Sequence, residues 1–199
     1  MSRLELDTRS PTAAMRALIE LFVAPGARCL EVSCADGKIA GPWLHARGYG
    51  YVNVDMAQRS TLPFDDESFD AALMIETLEH LVAPDRVATE VRRVLRPGGV
   101  LLATASNVSY WRRRLDLALP GGDRHPLSFN PGSLRRVLLQ AGFNLVGVEG
   151  QDGAIVRDLP LARIFWKGRA SAPYRVAERL FPSLLGLHVG AFAIKAGSV

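Results

Sequence analysis

An acidic residue, small residues and a glycine lie close together near the start of the chain, in a spacing that suits a nucleotide-like ligand. In the stretch LEVSCADGK, residues 30–38, Glu31 precedes several small residues and Gly37. Small residues let a ligand approach the backbone, glycine permits a positive φ, and the N-terminus of a following helix favours negative charge. The same pattern suits an ordinary strand–turn–helix connection that needs one glycine, so this stretch alone leaves both interpretations open.

A second acidic residue, Asp55, ends the next predicted strand in the stretch YVNVDMA. A carboxylate at the end of that strand can accept hydrogen bonds from both hydroxyls of a ribose, which explains its use in nucleotide-binding α/β folds. The alternative is an aspartate that caps a helix or a turn. Both interpretations of Asp55 are equally compatible with the sequence.

The elements that position these residues follow from the alternation of apolar runs with helical patterns, which predicts βαβ units and a parallel sheet. Helices are predicted at 38–47, 84–95 and 133–141, and another starts near Ser10. Strands are predicted at 28–33, 51–55, 69–75, 100–105, 143–149 and 189–195. Open α/β sheets bind their ligands at the carboxyl ends of the strands. We therefore expect the turn after the first strand and Asp55 to lie at one edge of the sheet.

A series of short motifs between residues 62 and 102 carries a family resemblance. It consists of LPF at 62–64, Asp66, SFD at 68–70, Glu76 with LEH at 78–80, and RVLRPGGVLL at 93–102. This series resembles the class I S-adenosylmethionine-dependent methyltransferases, specifically those of ubiquinone and methionine biosynthesis. Residues 107–111 and 124–143 are also similar to members of this group, so the resemblance covers about residues 28–150 and a final strand.

The resemblance implies an α/β fold, in which a Rossmann-like, mostly parallel sheet of seven strands is flanked by helices and ends in an antiparallel strand. It implies S-adenosylmethionine as the cofactor, with the methionine moiety over the first turn, the ribose at Asp55 and the adenine against Met56 and Leu62. Residues 75–80 would face the cofactor and the substrate. The cofactor-binding residues implied by the resemblance are Glu31, Ser33, Ala35, Gly37, Asp55, Met56, Gln58, Leu62, Ile75 and Glu76.

The first turn departs from the family pattern D/E-x-G-x-G-x-G at two of its glycine positions. The pattern corresponds to Glu31, Ser33, Ala35 and Gly37, so a serine and an alanine each add a Cβ where the backbone would approach the cofactor. If Ala35 takes a positive φ, the strain is of order 1–2 kcal/mol. The hydroxyl of Ser33 also offers a contact to a carboxylate or an amino group of the ligand.

The region after the second strand is shortened. Only residues 56–61 separate Asp55 from Leu62, where many relatives carry a helix and a whole strand, so we expect both to be missing or reduced to a loop. Gln58 stands four residues before Leu62, where relatives carry an acid that meets the adenine amino group. The side-chain oxygen of Gln58 can still accept a hydrogen bond, although the charge is gone.

Two histidines are candidate catalytic bases for methyl transfer, an in-line attack that depends on holding both reactants in line. His80 follows the predicted strand at 69–75, and histidine is the side chain most often used as a general base; the alternative is a residue that only begins a helix and bonds the backbone. His125 lies in the irregular segment 110–131, either within reach of the site as part of a lid or as an anchor of that loop. The four histidines and two cysteines show no metal-ligand spacing, so we expect no metal.

The composition indicates one domain over residues 1–199, with segments 110–131 and 160–186 as lids or insertions. Lys and Arg number 24 against 20 for Asp and Glu, an excess too small to favour nucleic-acid binding. Cys29 and Cys34 would lie about 16 Å apart on one strand, too far for a disulfide. Because the sequence also shows no apolar leader and no run long enough to cross a bilayer, we expect a cytoplasmic protein.

Three functional classes follow. The leading hypothesis is S-adenosylmethionine-dependent methyl transfer to an oxygen, nitrogen or carboxylate of a small molecule. The run YWRRR at 110–114 either holds an anionic substrate group or forms a solvated helix start with Trp111 packed beneath it. The alternative is a non-catalytic methyltransferase-like partner or regulatory protein, which Ser33, Ala35 and Gln58 favour. A nicotinamide-dependent Rossmann enzyme is disfavoured because G-x-G-x-x-G is absent. The sequence leaves the oligomeric state open, a homo-oligomer included.

Overall fold

The computed structural model describes residues 11–34, 40–57, 59–107, 127, 129–151 and 188–196. Its helices are α1 (Pro11–Phe22), α2 (Gly41–Ala46), α3 (Pro84–Val94) and α4 (Pro131–Gln140), and a short 3-10 turn spans Leu78–His80. Its strands are β1 (Arg28–Ser33), β2 (Gly50–Asp55), β3 (Phe69–Ile75), β4 (Leu95–Ser106), β5 (Phe143–Gln151) and β6 (His188–Lys195).

The strands form one sheet in the order β2-β1-β3-β4-β6-β5. Strands β1 to β4 pair in parallel, while β6 runs antiparallel to both β4 and β5. The chain leaves β1 to one side for β2 and returns to its other side for β3. The strand order therefore reverses at β1 and β3, and the crevice beside such a reversal is where open α/β sheets bind ligands. The predicted α/β class and mostly parallel sheet are confirmed.

The sheet has six strands in the described residues, whereas the family resemblance implied seven. Residues 59–68, which join β2 to β3, contain no strand and no helix, so β2 is an edge strand. This agrees with the expected shortening after the second strand. The physical reason is length, because the few residues between Asp55 and Leu62 cannot form both a helix and a further strand.

One arginine of α3 binds the shortened connection between β2 and β3. Arg93 donates hydrogen bonds to the carbonyl oxygens of Leu62 and Phe64 at 3.0 and 2.9 Å, and to Asp66 at 2.6 Å. Its Nε also donates to Glu90 at 2.9 Å, and the Glu90 carboxylate accepts from the backbone N–H of Leu62 at 2.9 Å. These hydrogen bonds hold the backbone of the connection in place, as strand pairing would hold a longer segment.

Two elements start three or more residues away from their predicted starts, while the other differences in bounds are one or two residues. Strand β4 begins at Leu95 instead of residue 100, so residues 97–99 lie inside it. Gly98 has a φ of +78°, and the register between β3 and β4 shifts between Phe69 and Ala71. A glycine at positive φ lets the chain bulge while pairing continues on either side, so this turn-like sequence does not end the strand. Helix α2 begins at Gly41 instead of residue 38.

Helices cover both faces of the sheet. One apolar cluster packs α3 and α4 on one face, with Val91 and Leu138 fully buried. The other packs α1 and α2 on the opposite face, with Ile19 and Leu44 fully buried. Each such side chain stabilises the fold by roughly 1.5–3 kcal/mol on burial. Within the described residues, none of the helices combines the length and the apolar character needed to span a membrane.

Candidate active site

Buried polar residues concentrate at the carboxyl edge of the parallel strands. Of the seven buried polar or charged residues in the described part of the chain, Lys195 alone lies at the amino edge, where its ammonium donates to the carbonyl of Leu95 at 2.7 Å. Burying a polar group costs free energy unless it is hydrogen-bonded, so the carboxyl edge is the costlier one to build. The six residues at that edge are Glu31, Ser33, Thr77, Glu79, Thr104 and Asn107.

Glu31 lies in β1 with its carboxylate turned toward β2 and the start of α2. The side chain is 1% exposed. One carboxylate oxygen accepts a hydrogen bond from the hydroxyl of Tyr51 at 2.6 Å, and the backbone N–H of Ala40 donates to both oxygens at 3.1 and 3.3 Å. Burial, followed by the bond to Glu31, raises the pKa of Tyr51, so its hydroxyl stays protonated and remains a donor. Through these hydrogen bonds, Glu31 links β1, β2 and the start of α2.

Ser33, the serine at a glycine position of the family pattern, uses its hydroxyl within the sheet. The hydroxyl oxygen lies 3.4 Å from the carbonyl of Val54, to which it donates, and accepts from the side-chain amide of Asn53 at 3.1 Å. Among the described residues, only Glu67 and Glu76 combine a side chain with a positive φ. Ser33 therefore adds no left-handed backbone strain to the end of β1.

Asp55 ends β2 directly beside Ser33, with which it is paired in register. Its side chain is exposed, and one oxygen accepts a hydrogen bond from the backbone N–H of Ala57 at 2.8 Å. This bond belongs to an Asx turn, so the turn-stabilising interpretation of Asp55 is correct for that oxygen. Met56 and Leu62, expected near the adenine, are 1% and 4% exposed and lie in the apolar core beside the turn.

The end of β3 contains a backbone outlier at Glu76. This residue has a φ of +48°, and its N–H is shared between the carbonyl and the hydroxyl of Thr104, at 3.1 and 3.2 Å. Its carboxylate accepts from the hydroxyl of Ser106 at 3.0 Å. A non-glycine residue in this region costs of order 1 kcal/mol, and such strain clusters at functional sites. Ile75, the last residue of β3, is 7% exposed.

Cys34 and Thr77 join the ends of β1 and β3. The hydroxyl of Thr77 donates to the carbonyl of Val32 at 3.1 Å, and the thiol sulfur of Cys34 lies 3.9 Å from the carbonyl oxygen of Thr77. Burial raises the pKa of the Cys34 thiol, and the negative charges of Asp55 and Glu79 raise it further. The end of β1 therefore lies in a negative electrostatic potential. Both cysteines are free thiols, as the sequence predicted.

Glu79 and His80 occupy the 3-10 turn after β3. Glu79 is 1% exposed, accepts from the N–H of Ser106 at 2.8 Å and, through its backbone carbonyl, from the N–H of Leu127 at 3.3 Å. His80 is exposed, and its backbone N–H donates to the carbonyl of Thr77 at 3.0 Å. The turn thus anchors Glu79 inside the fold and presents His80 at the surface of the carboxyl edge.

Several residues expected at the site lie outside the described residues, namely Ala35, Gly37, Gln58 and His125, together with most of segment 110–131 and all of segment 160–186. In the ranges that are described, no three His, Cys, Asp or Glu side chains are grouped so as to hold a metal ion. The structure brings the other expected residues to one edge or to the core directly behind it.

Sequence reasoning missed Tyr51, Thr104 and Ser106 among the polar residues that build this edge. Thr104 and Ser106 lie near the end of the buried strand β4, and a polar residue at that position was the signal available for them. Tyr51 gave no such signal, because an aromatic residue is common within any β-strand. Its importance depends on the cross-strand register, which only the structure supplies.

The sequence matches the family model described as Methyltransferase domain over residues 7–148. Phthiotriol/phenolphthiotriol dimycocerosates methyltransferase 1 of Mycobacterium ulcerans is 34% identical over 116 residues, covering 45% of this chain and 43% of that protein. Ubiquinone biosynthesis O-methyltransferase of Dinoroseobacter shibae is 27% identical over 143 residues, covering 67% of this chain and 58% of that protein. The chain therefore spans less than two thirds of the length of either relative.

The solved structure of a SAM-dependent methyltransferase from Thermotoga maritima has the same fold. Its TM-score to this chain is 0.60 at 20% identity, covering 96% of this chain and 90% of that one. The family match covers more than half of the chain and includes β1 to β4 with the polar edge that they form. This chain accordingly belongs to the class I S-adenosylmethionine-dependent methyltransferase family.

Proposed function

We propose that the chain binds S-adenosylmethionine at the carboxyl edge of β1, β2 and β3 and transfers its methyl group to an oxygen, nitrogen or carboxylate of a small-molecule acceptor. The observation that carries this proposal is the convergence of Glu31, Asp55, Glu76 and Glu79 at that edge in a chain of this family. The turnover experiment below is designed to identify the acceptor.

The electrostatics of this edge fit a sulfonium ligand. The negative charges of Asp55 and Glu79 act on the thiol of Cys34 at the end of β1 and disfavour its anion. The same potential favours a cation, and the attraction is strong where water is partly excluded. Asp55 is exposed at the end of β2, where a carboxylate can accept from ribose hydroxyls.

The bound cofactor would supply an electrophilic methyl group on a positively charged sulfur. The protein's contribution is to hold the cofactor and the acceptor in line and to exclude competing orientations. His80 is exposed beside the edge and is the first candidate to accept a proton from a hydroxyl or ammonium acceptor. His125, outside the described residues, is the second candidate. A carboxylate acceptor needs no base.

Calorimetric titration with S-adenosylmethionine and S-adenosylhomocysteine tests cofactor binding. We expect saturable binding of both compounds, and we expect Asp55→Ala to weaken it at least about tenfold, through the loss of charge-assisted hydrogen bonds. Asp65→Ala is the matched control, because Asp65 is also exposed but lies on the connection to β3. Equal affinities for the two variants would remove the ribose role from Asp55.

Turnover separates the enzyme from a non-catalytic member of the family. Incubation with S-adenosylmethionine and fractionated small-molecule extracts should release S-adenosylhomocysteine with at least one fraction. His80→Ala should then lower kcat by about a hundredfold for a hydroxyl acceptor while cofactor affinity stays unchanged. Cofactor binding with no release from any fraction would support the non-catalytic alternative. Normal turnover by His80→Ala would show that His80 is not the base.

A further inference from the structure

We infer that Tyr51 is a positioning residue for the cofactor-binding turn, and that it acts through Glu31 on the backbone of Ala40. This inference rests on the proposed function. Neither the family motifs nor the candidate-site residues include Tyr51, which is the second residue of the edge strand β2. Its role follows from the contacts that its hydroxyl and its ring make.

The hydroxyl contact is short and involves a charged acceptor. In the register of β1 and β2, Tyr51 lies opposite Cys29, so the side chain of Glu31, two residues further on, shares its face of the sheet. The Tyr51 hydroxyl is 2.6 Å from the Glu31 carboxylate. Hydrogen bonds to ionised acceptors are shorter and stronger than neutral ones, so this bond fixes the direction of the carboxylate.

The fixed carboxylate in turn holds the backbone of Ala40. The N–H of Ala40 donates to the two oxygens of Glu31 at 3.1 and 3.3 Å, directly before α2 begins at Gly41. Residues 34–39 connect β1 to this point, and the family resemblance implies that the methionine moiety of the cofactor lies over that connection. Anchoring Ala40 fixes the far end of the connection, while the sheet fixes its near end at Ser33. Such preorganisation lowers the cost of ordering a binding segment.

The half-buried ring of Tyr51 packs against Gly41 and His45, which limits the movement of its hydroxyl. A Cβ added at Gly41 would come within 2.8 Å of two ring atoms and 3.0 Å of the hydroxyl oxygen. The ring also packs edge-on against His45, with centroids 5.3 Å apart. Gly41 is therefore required because any side chain at this position would overlap the ring of Tyr51.

Tyr49 provides a matched control two residues earlier. It is 6% exposed, and its hydroxyl donates to the backbone carbonyl of Val23 at 3.3 Å. Val23 follows α1, before β1 starts, and lies on the amino side of the sheet. Replacing either tyrosine by phenylalanine removes one hydrogen-bonded hydroxyl from almost the same segment of chain. The Tyr51 hydroxyl donates to Glu31, whereas the Tyr49 hydroxyl donates to Val23.

The test compares Tyr51→Phe with Tyr49→Phe by calorimetry with S-adenosylhomocysteine and by thermal unfolding. We expect Tyr51→Phe to weaken cofactor binding about tenfold, since a hydrogen bond to a charged group is lost, and Tyr49→Phe to leave the Kd unchanged. Both variants should lower Tm by a similar amount. Equal Kd values for the two variants would overturn the proposal, because a purely structural role predicts loss of stability without a specific loss of affinity.

Amide exchange tests the same link without any cofactor. Tyr51→Phe and Gly41→Ala should each speed deuterium uptake in a peptide that includes Ala40, and Tyr49→Phe should not. Unchanged uptake in both variants would overturn the link from Tyr51 to Ala40, even in a protein that binds the cofactor. A wild-type chain that binds no cofactor would overturn the proposed function and with it the role of Tyr51, whatever the exchange data show.

Discussion

The carboxyl and amino edges of the same sheet carry polar residues of different kinds. At the carboxyl edge, Glu31 and Glu79 are buried and accept hydrogen bonds from backbone N–H groups and a tyrosine hydroxyl. At the amino edge, Asp70 pairs with Arg96 at 2.5 Å, and the two side chains are 29% and 53% exposed. Exposed ion pairs stabilise a fold modestly, by about 0–1 kcal/mol, and cost little to form. Buried carboxylates cost more free energy to form, and their concentration at the carboxyl edge supports the proposal that this edge binds the cofactor.

The largest effect should come from removing one carboxylate at each edge. Glu31→Ala leaves the Tyr51 hydroxyl and the Ala40 N–H without this acceptor inside the fold, and should lower the free energy of unfolding by about 3 kcal/mol. Asp70 has an analogous pair of partners, the N–H of Arg28 at 2.8 Å and the guanidinium of Arg96, but water can replace it. Asp70→Ala should cost about 1 kcal/mol.

Urea denaturation of both variants measures this difference. If Asp70→Ala lowers the free energy of unfolding as much as Glu31→Ala does, the carboxylates of the two edges contribute equally to stability and the comparison fails. Cofactor affinity provides a second test of the difference between the edges. Asp70→Ala should leave the Kd for the cofactor unchanged.

A smaller contrast should separate two arginines of α3 and β4. Arg93 is 31% exposed and holds two carbonyls of the connection as well as Glu90 and Asp66, so Arg93→Met should cost about 2 kcal/mol. Arg96 is 53% exposed and bonds Asp70 and the carbonyl of Glu67, so Arg96→Met should cost at most about 1 kcal/mol. Chemical denaturation at low and high salt checks both values, and only the loss for Arg96→Met should vanish at high salt.

Glu90 should make this stabilisation depend on pH. The hydrogen bond from Arg93, helped by the N–H of Leu62, holds the pKa of Glu90 below its ordinary value of 4.5. A carboxyl with a lowered pKa in the folded state adds stability above its unfolded pKa, and this is lost as the pH falls through the folded pKa. The difference in unfolding free energy between wild type and Glu90→Gln should therefore shrink below about pH 4.5. A difference that stays constant from pH 7 to pH 3 would contradict the lowered pKa.

The smallest expected effect is on the reactivity of Cys34. Burial and the charges of Asp55 and Glu79 raise its pKa, while burial raises the pKa of Cys29 to about 12. Iodoacetamide at pH 8 should therefore modify Cys34 slowly and leave Cys29 intact in the folded protein. Asp55→Asn should speed the modification of Cys34 by about two- to fivefold, because one negative charge is removed. Asp65→Asn is the control, and an equal rate in both variants would remove Asp55 from the potential at Cys34.

The sequence predicted β1 and β3 with the bounds that the structure has. Both lie between turn residues; β3 is an apolar run apart from Asp70, and β1 carries apolar residues at Cys29, Leu30 and Val32, so both can be recognised without tertiary information. The start of β4 was wrong because Pro97, Gly98 and Gly99 usually end an element, whereas here β3 pairs with β4 on both sides of them, at Leu95 and at Val100. Local propensity could not reveal that tertiary constraint.

The candidate site was predictable in position but not in orientation. Glu31, Asp55 and Glu76 could be assigned to one edge because parallel strands share the direction of their carboxyl ends. The direction of each side chain depends on partners distant in sequence. Glu31 faces Tyr51, and Ser33 turns its hydroxyl to Val54 instead of outward. These contacts follow from strand register, which the order of residues along the chain does not specify by itself.

The most direct measurement of the central claim is deuterium exchange of the wild-type chain with and without S-adenosylhomocysteine. We expect slower exchange in peptides covering residues 30–34, 53–57 and 75–81, which form the carboxyl edge. We expect no change in peptides covering residues 66–70 and 95–99, which form the amino edge. Protection at the amino edge, or no protection at either edge with saturating ligand, would contradict the account.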